Sequence, residues 1–315
     1  METGSRRGRV LLNFSHLKVF YTAALKKNFS ETAKSLHMSQ PSVSLHVRQL
    51  EDSLETELFK RTTKQVYLTP AGELLFKSAE SILNQVNDIK RDIQHLSGSV
   101  HGNLVIGASL TIGEHILPYM FGAFQQAYPQ INITLKIYNS EQIIDKLNGG
   151  ELHIGFIESM IAYPEFLQKA FQSDELIVIS KPNYYSGSSL STNELFSLPF
   201  ISREVGSGTR QVIEESLRQN QLNPSKLQVV MELESTESIK SAVESGMGIS
   251  IISKAAVEKE LRLGTLEQLY LPELNLKRSL YAIYKKHHFT LAAEAFLEFV
   301  THRPPEAKRS KNALN

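Results

Sequence analysis

The 315-residue sequence contains no cysteine. That absence removes a disulfide framework, thiolate zinc sites, iron–sulfur clusters and a cysteine nucleophile together. No apolar run approaches the length of a membrane span. The opening "METGSRRGRVLLNFS" carries Arg6, Arg7 and Arg9, but its "VLL" is too short for a signal h-region, so a cytoplasmic location is expected. A Walker A motif and a complete dinucleotide glycine pattern are also missing; Gly246 and Gly248 suit a helix-to-strand turn instead. "SHLK", Ser15 to Lys18, fits S-x-x-K but has no S-D-N or K-T-G companion. The histidines are scattered, and the His287–His288 pair lacks obvious further metal ligands. The expectation is therefore no enzyme, no metal and no cofactor.

What is present is an ordinary globular composition, 41% apolar and 21% charged, long enough for two or more domains. The net charge of +1 hides an asymmetry. Residues 1–70 hold eleven Lys and Arg against six Asp and Glu, while the remainder is mildly acidic. A basic head suggests a polyanionic partner for that head, and the arginine-rich extension before it reads as an unstructured arm.

Within the head, Leu17, Phe20, Tyr21 and Ala24 recur at helical spacing behind Ser15 as a cap. "NFSETAKSLHM" predicts a second helix capped by Ser30, with Glu31 in its first turn and Ala33 and Leu36 facing inward. A tight turn at Met38 leads to Ser39, a third cap, and to Pro41 in a first turn, where its missing N–H costs nothing. On this third helix Val43, Val47, Leu50 and Leu54 form one apolar stripe. The other side carries Pro41, Leu45, Arg48 and Gln49, flanked by Ser42 and His46. Two short helices around a tight turn, the second exposing polar and basic groups, match a helix-turn-helix that enters the DNA major groove. "QVYLT" and the basic turn at Lys60, Arg61 and Lys64 then read as a wing reaching phosphates or the minor groove. A plain three-helix domain with a charged face is the simpler alternative.

These residues resemble a known pattern. Phe29, Thr32, Ala33, Leu36, Ser39, Gln40, Pro41, Val43, Ser44, Leu50 and Glu51 match it, as do Leu58, Phe59, Arg61, Leu68, Thr69, Ala71 and Gly72. Their spacing is similar to the N-terminal domain of the LysR-type transcriptional regulators. The resemblance implies that Gln40, Pro41, Ser44 and the following residue contact bases and that Arg61 reaches the minor groove. The chain departs from a frequent family choice at Leu45, where many members place Arg, His or Gln.

After Pro70, the residues Leu75, Ala79, Ile82, Val86, Ile89, Ile93 and Leu96 step by four and three in alternation, a heptad seam. Such a seam buries itself on its own domain or on a twin. The family resemblance implies the twin: linker helices paired in a homodimer, with dimers assembling into a homotetramer. "SGSVHG", Ser97 to Gly102, reads as a hinge.

Beyond the hinge, strand-like segments ("NLVIGAS", "NITLKIY", "HIGFI", "ELIVIS", "LPFIS", "LQVVMEL", "GISIIS") alternate with helix-like ones, giving an α/β class. The helical segments include "HILPYMFGAFQQAY", "SEQIIDKL", "TRQVIEESLRQ" and "TESIKSAVES". This half resembles the two-lobed, periplasmic-binding-protein-like effector domain of the same family. The expected organisation is a winged helix-turn-helix at 14–70, a linker helix at 71–97 and an effector domain at 103–305. Lobe I would take about 103–176 and 280–305, and lobe II about 177–279.

Three junctions carry hydroxyls and glycine: Ser109 and Thr111; Ser207, Gly208 and Thr209, with Arg203 and Arg210 nearby; and Ser235 with Thr236. Each alone reads as an ordinary helix cap. Together, backbone N–H groups and hydroxyls suit a shared site for a small anion. These motifs look most like the sulfur-assimilation and carbon-fixation branches of the family, the CysL- and CbbR-like regulators. Glu158 is open to three readings: selecting a cationic part of a ligand, orienting an arginine, or forming a plain surface ion pair. The expected function is a DNA-binding regulator controlled by a small anionic metabolite, with double-stranded DNA as partner and no membrane. The rival is a cytoplasmic solute-binding or anion-binding, enzyme-like α/β protein.

Overall fold

A computed structural model describes residues 12–61, 66–96, 100–158, 163–285 and 289–302. They fall into two compact units, dividing between Ile93 and Gln94.

The first unit contains α1 (Phe14–Lys26), α2 (Phe29–Ser35), α3 (Gln40–Leu54), β1 (Phe59–Arg61), β2 (Val66–Leu68) and α4 (Pro70–Leu96). Two caps differ from expectation. Asn13, not Ser15, accepts the Ser15 N–H at α1, and Asn28, not Ser30, accepts those of Ser30 and Glu31 at α2. In both cases the extended backbone ends at the asparagine, so its amide oxygen reaches the free N–H groups one turn on. Ser39 does cap α3, accepting from Ser42, with Pro41 in the first turn. Between α2 and α3, His37 takes φ +51° and the Met38 N–H donates to the Ala33 carbonyl at 2.9 Å. Val43, Val47 and Leu50 are fully buried against Phe20, Phe29 and Phe59. At roughly 1.5–3 kcal/mol for each large apolar side chain, this stripe anchors α3 and leaves its opposite side in water.

The wing is an antiparallel pair with Phe59 opposite Leu68. Glu51, in the last turns of α3, accepts the Leu58 and Phe59 N–H groups at 2.9 and 3.2 Å, tying the wing root to the helix. Thr69 closes the other side by donating to the Glu57 carbonyl at 2.7 Å. Gly72 passes so near that an added Cβ would lie 2.1 Å from the Leu58 carbonyl oxygen, which no side chain tolerates.

The heptad seam of α4 is divided. Ala79 is buried in a cluster with Leu17 and Tyr21, flanked by Leu75, Phe76 and Leu83, and the Tyr21 hydroxyl donates to Glu80 at 3.1 Å. Further along, Ile82, Ile89 and Ile93 are 39%, 57% and 60% exposed. The seam therefore packs on its own domain at the start, while later Val86 is half-buried and Ile82, Ile89 and Ile93 are exposed. The Leu96 side chain, the hinge residues Ser97–Ser99, the arginine-rich arm, His287 and His288 lie outside the described residues.

The second unit is built on a seven-stranded sheet ordered β4-β3-β5-β11-β6-β10, with β9 also on β6. Its strands are β3 (Gly102–Ala108), β4 (Ile131–Ile137), β5 (Ile154–Ile157), β6 (Leu167–Ser180), β9 (Ser250–Ser253), β10 (Glu267–Leu269) and β11 (Lys277–Tyr284). β3 runs parallel to β4 and β5, while β11 is antiparallel to β5 and β6. In the first lobe, α5 (Leu110–His115), α6 (Pro118–Ala127) and α12 (Leu291–His302) cover one face around Leu104, Ile106, Phe124, Phe156 and Phe296. The other face takes α7 (Ser140–Asn148) through Ile143 and Leu147.

β6 pairs with β11 up to Glu175 and with β9 from Leu176 onward, so one strand serves both lobes. The second lobe adds the parallel pair β7 (Pro199–Arg203) and β8 (Gln228–Leu233), with α8 (Thr192–Ser197), α9 (Gly208–Gln219), α10 (Thr236–Glu244) and α11 (Glu258–Leu263). The segment "HILPYMFGAFQQAY" holds one helix, α6, which Pro118 begins; its first residue, His115, is the last of α5. β6 is much longer than "ELIVIS", since its polar first half pairs along one edge with β11.

Candidate functional site

The solvent side of α3 holds the first group of candidates. Leu45 is 53% exposed, and Gln40, Pro41, Arg48 and Gln49 are exposed beside it. Gln40 donates through Nε2 to the Ser44 hydroxyl at 3.0 Å, and the Ser39 and Ser42 hydroxyls pair at 2.8 Å. Both arrangements are single hydrogen bonds between exposed groups, cheap to exchange for a base edge or phosphate. His46 is placed differently. Its ring packs on His16 of α1, centroids 4.9 Å apart, and its Nδ1 is buried without a partner. Burial first, and the His46 ring second, hold the His16 pKa below its ordinary value. The helical wheel placed His46 on the flank of the outward face, and α1 covers that flank. Lys60 stands exposed on β1; the Arg61 side chain and Lys64 lie outside the described residues.

The second group gathers at the carboxyl ends of β3, β4 and β5, the edge where the parallel strand order reverses and ligands bind in open α/β sheets. Ser109 follows β3 and is 3% exposed; its N–H donates to the Phe156 carbonyl at 2.9 Å, and its Oγ is buried without a partner. Thr111 is 2% exposed one residue into α5. Glu158 follows β5, also buried, and accepts from the Ser140 hydroxyl at 3.1 Å. A plain surface ion pair is thereby excluded for Glu158, since its carboxylate is inside the protein.

From the second lobe, the turn before α9 meets this edge. An added Cβ on Gly208 would fall 2.4 Å from Glu158 Oε2 and 2.5 Å from Ser140 Oγ. Thr209 accepts at Oγ1 from Arg278 Nη1 at 3.1 Å. Ser235 spends its hydroxyl on the cap of α10, accepting from Ser238, whereas Ser109 and Ser207 make no such cap bond. The ordinary-cap reading thus holds for Ser235 alone of the three, and Thr236 beside it is buried.

Two buried cations escaped the sequence reading. Arg278, on β11, donates through Nε to Asp174 at 2.8 Å, and Ser253 donates to the same carboxylate. Its Nη2 also lies 2.8 Å from Asp174 but off the hydrogen-bond direction. Lys240, on α10, bonds the Ala256 carbonyl, Glu260 and Glu237. Burial lowers the Lys240 pKa, but the two carboxylates outweigh it and the net shift is upward. An arginine inside "KRSLYAIY" and a lysine on the inner face of α10 were available signals, because a charge at an apolar-periodic position must be paired. Neither Arg203 nor Arg210 is free: Arg203 is held in a fork by Glu204, and Arg210 by Glu214 and Glu232.

Glu114, His115 and Glu237 offer donor atoms within 4.8 Å of one another, the one such group of three among the described residues. The Lys240 ammonium, 2.6 Å from Glu237, already supplies a positive charge there. Burial, then Lys240, hold the His115 pKa down, and burial, then Glu237, raise that of Glu114. The edge thus brings together the buried hydroxyls of Ser109, Thr111 and Thr209, with the Arg278 guanidinium bonded to Thr209.

Family comparisons match this geometry in both units. Residues 14–73 match the bacterial regulatory helix-turn-helix protein, lysR family, and residues 97–304 match the LysR substrate binding domain. The chain belongs to the LysR family of transcriptional regulators. This regulator is 35% identical over 272 residues to a protein of Cyanidium caldarium named "Probable RuBisCO transcriptional regulator", covering 85% of this chain and 86% of the other. It is 33% identical over 271 residues to the HTH-type transcriptional regulator CysL of Bacillus subtilis, covering 85% and 89%. Among solved structures it resembles the Synechocystis PCC6803 CcmR regulatory domain in complex with 2-PG, with TM-score 0.58 and 27% identity. That match covers 64% of this chain and 96% of the other.

Proposed function

We propose that this regulator binds a small anionic metabolite between the lobes of its C-terminal unit and thereby changes how its helix-turn-helix units engage DNA. The observation that carries the reading is the buried Ser109 hydroxyl without a partner, on the same sheet edge as Thr111 and near Thr209 of the second lobe, which Arg278 of β11 bonds. A buried hydroxyl costs free energy until a ligand satisfies it. The CcmR domain that resembles this one was solved with 2-PG, which supports an anion of that kind. The contacts would come from Ser109, Thr111, Ser207, Gly208, Thr209 and Thr236, with Ser235 held back as a cap.

DNA would be read by Gln40, Pro41, Ser42, Ser44, Leu45, Arg48 and Gln49, with Arg61 and Lys64 on the wing. His46, packed on His16, would support the helix rather than reach a base. Exposed Ile82, Ile89 and Ile93 favour pairing of α4 with the same helix of a second chain, as a homodimer and, through dimers, a homotetramer. The protein would act in the cytoplasm and catalyse no reaction; no helix among the described residues is long and apolar enough to cross a membrane.

Isothermal calorimetry with 2-PG, inorganic phosphate and sulfate tests the site. Thr111→Ala should weaken binding at least tenfold and leave DNA affinity unchanged. Unchanged affinity in that variant would remove Thr111 from the site, and a footprint indifferent to saturating anion would refute effector control.

A further inference from the structure

The N-termini of two helices from different lobes converge on one buried side chain. Ser140 is the first residue of α7 in the first lobe, and Gly208 is the first residue of α9 in the second. Glu158 lies between them, 2% exposed, with Oε2 bonded to the Ser140 hydroxyl and pressed against Gly208. The backbone at Gly208 is not in the left-handed region, so what glycine supplies there is room: a side chain would have to displace the Glu158 carboxylate and the Ser140 hydroxyl. Two residues earlier Gly206 makes a second close approach, where an added Cβ would lie 3.0 Å from Glu141 and 3.1 Å from Asn139 at the start of α7. Lobe II is thus fitted onto the α7 N-terminus through two glycines, with a carboxylate enclosed at the junction.

The first N–H groups of any helix lack intrahelical acceptors and carry a partial positive charge. At α9 the Ser207 side chain does not cap them. An anion is what this environment favours, and the chain supplies one. We propose that Glu158 is a built-in anion, holding the lobes together at the α7–α9 junction in the absence of any effector. It occupies the place a free carboxylate or phosphate would take there, so a diffusible anion is directed to the neighbouring strand end at Ser109 and Thr111. Effector binding then acts on lobes that already touch, and the equilibrium it shifts is between two closed arrangements rather than between open and closed. The internal contact stands whether or not the effector reading holds, because it needs no ligand.

The test uses the full-length protein without effector. Glu158→Ala removes the carboxylate and leaves a space the size of acetate. Its melting temperature should fall by about 2–4 °C. Sodium acetate should restore more than half of that loss, while acetamide, equal in shape but uncharged, and sodium chloride at matched ionic strength should not. Any wild-type response to acetate reports the Ser109–Thr111 end and is subtracted from the rescue, and the wild type should respond to neither acetamide nor sodium chloride. Glu158→Gln keeps the volume and the bond from Ser140 but loses the charge, and should melt with the alanine variant. If Glu158→Gln melts like the wild type, or if acetamide rescues Glu158→Ala as well as acetate does, Glu158 is a packing group and the proposal is overturned. Small-angle scattering gives an independent readout: both variants should be measurably more expanded than the wild type, and identical profiles would also overturn it. Failure of the effector reading would show instead in the Thr111→Ala calorimetry, which this contact does not influence.

Discussion

The two units present hydroxyls at helix starts in opposite surroundings. On α3, Ser39 and Gln40 stand in solvent with Ser44 half-buried behind them, joined by single hydrogen bonds. On α5 and α9, Ser109, Thr111 and Thr209 are sealed to 3% exposure or less, with Arg278 fixed behind Thr209 by Asp174. The difference fits the two kinds of partner proposed for these surfaces. A major-groove surface meets its partner over a broad area, and its polar groups lose little by waiting in water. A small-molecule site gains its selectivity from groups already desolvated and oriented, which costs stability while the site is empty.

Four measurements would sharpen or break that contrast. The largest effect is expected from Leu50→Ala, which removes a fully buried side chain from under α3. It should cost about 2–5 kcal/mol and abolish DNA binding, while the anion binding proposed for the C-terminal unit survives; calorimetry and gel shift on one preparation would show it. Next, Leu45→Arg replaces an exposed apolar contact with a fork that can pair with guanine. Selected-site sequencing should show a changed preference at one half-site position, by roughly 1–3 kcal/mol, with stability unaltered. Ser109→Ala should do the reverse: it removes an unpaired buried hydroxyl, so the empty protein should gain about 1 kcal/mol in denaturant unfolding while losing anion affinity. A destabilised Ser109→Ala would mean that this hydroxyl is already satisfied.

The smallest effect concerns pH. His16 is held below its ordinary pKa of 6.5 by burial and by His46, so protons bind the unfolded chain more readily than the folded one. Stability should therefore be complete above about pH 6.5 and decline as pH falls below it toward the lower folded value. His16→Gln should flatten this slope in thermal melts followed at the N-terminal unit, and an unaltered slope would assign the titration elsewhere.

The helix-turn-helix was legible because its signals are local. The apolar stripe of α3, the Ser39 cap, Pro41 and the wing strand all act within a few residues of one another. The mistaken caps, Ser15 and Ser30, came from the same local reasoning, since asparagine and serine compete for one role and only the backbone turn decides between them. In the C-terminal unit the parallel strands were legible as apolar runs, but the first half of β6 was not. Its polar alternation gains meaning only from β11, about a hundred residues away. The hydroxyls of the cleft were chosen by residue type at strand-to-helix junctions, yet no sequence pattern tells Ser235, which caps, from Ser109, which does not.

By itself, then, the sequence determined the family and the helix-turn-helix, and it nominated the outward residues of α3 proposed to read DNA, because periodicity and capping are short-range physics. It also marked a seam on α4 without saying that its first part is spent on α1 while Ile82, Ile89 and Ile93 stand exposed. Tertiary structure alone decided that Arg278 stands behind Thr209, that His46 turns to His16, and that Glu158 is enclosed between two lobes. Those are meetings of residues 18 to 69 positions apart, and burial at such meetings is a property of the packed fold that no local pattern encodes.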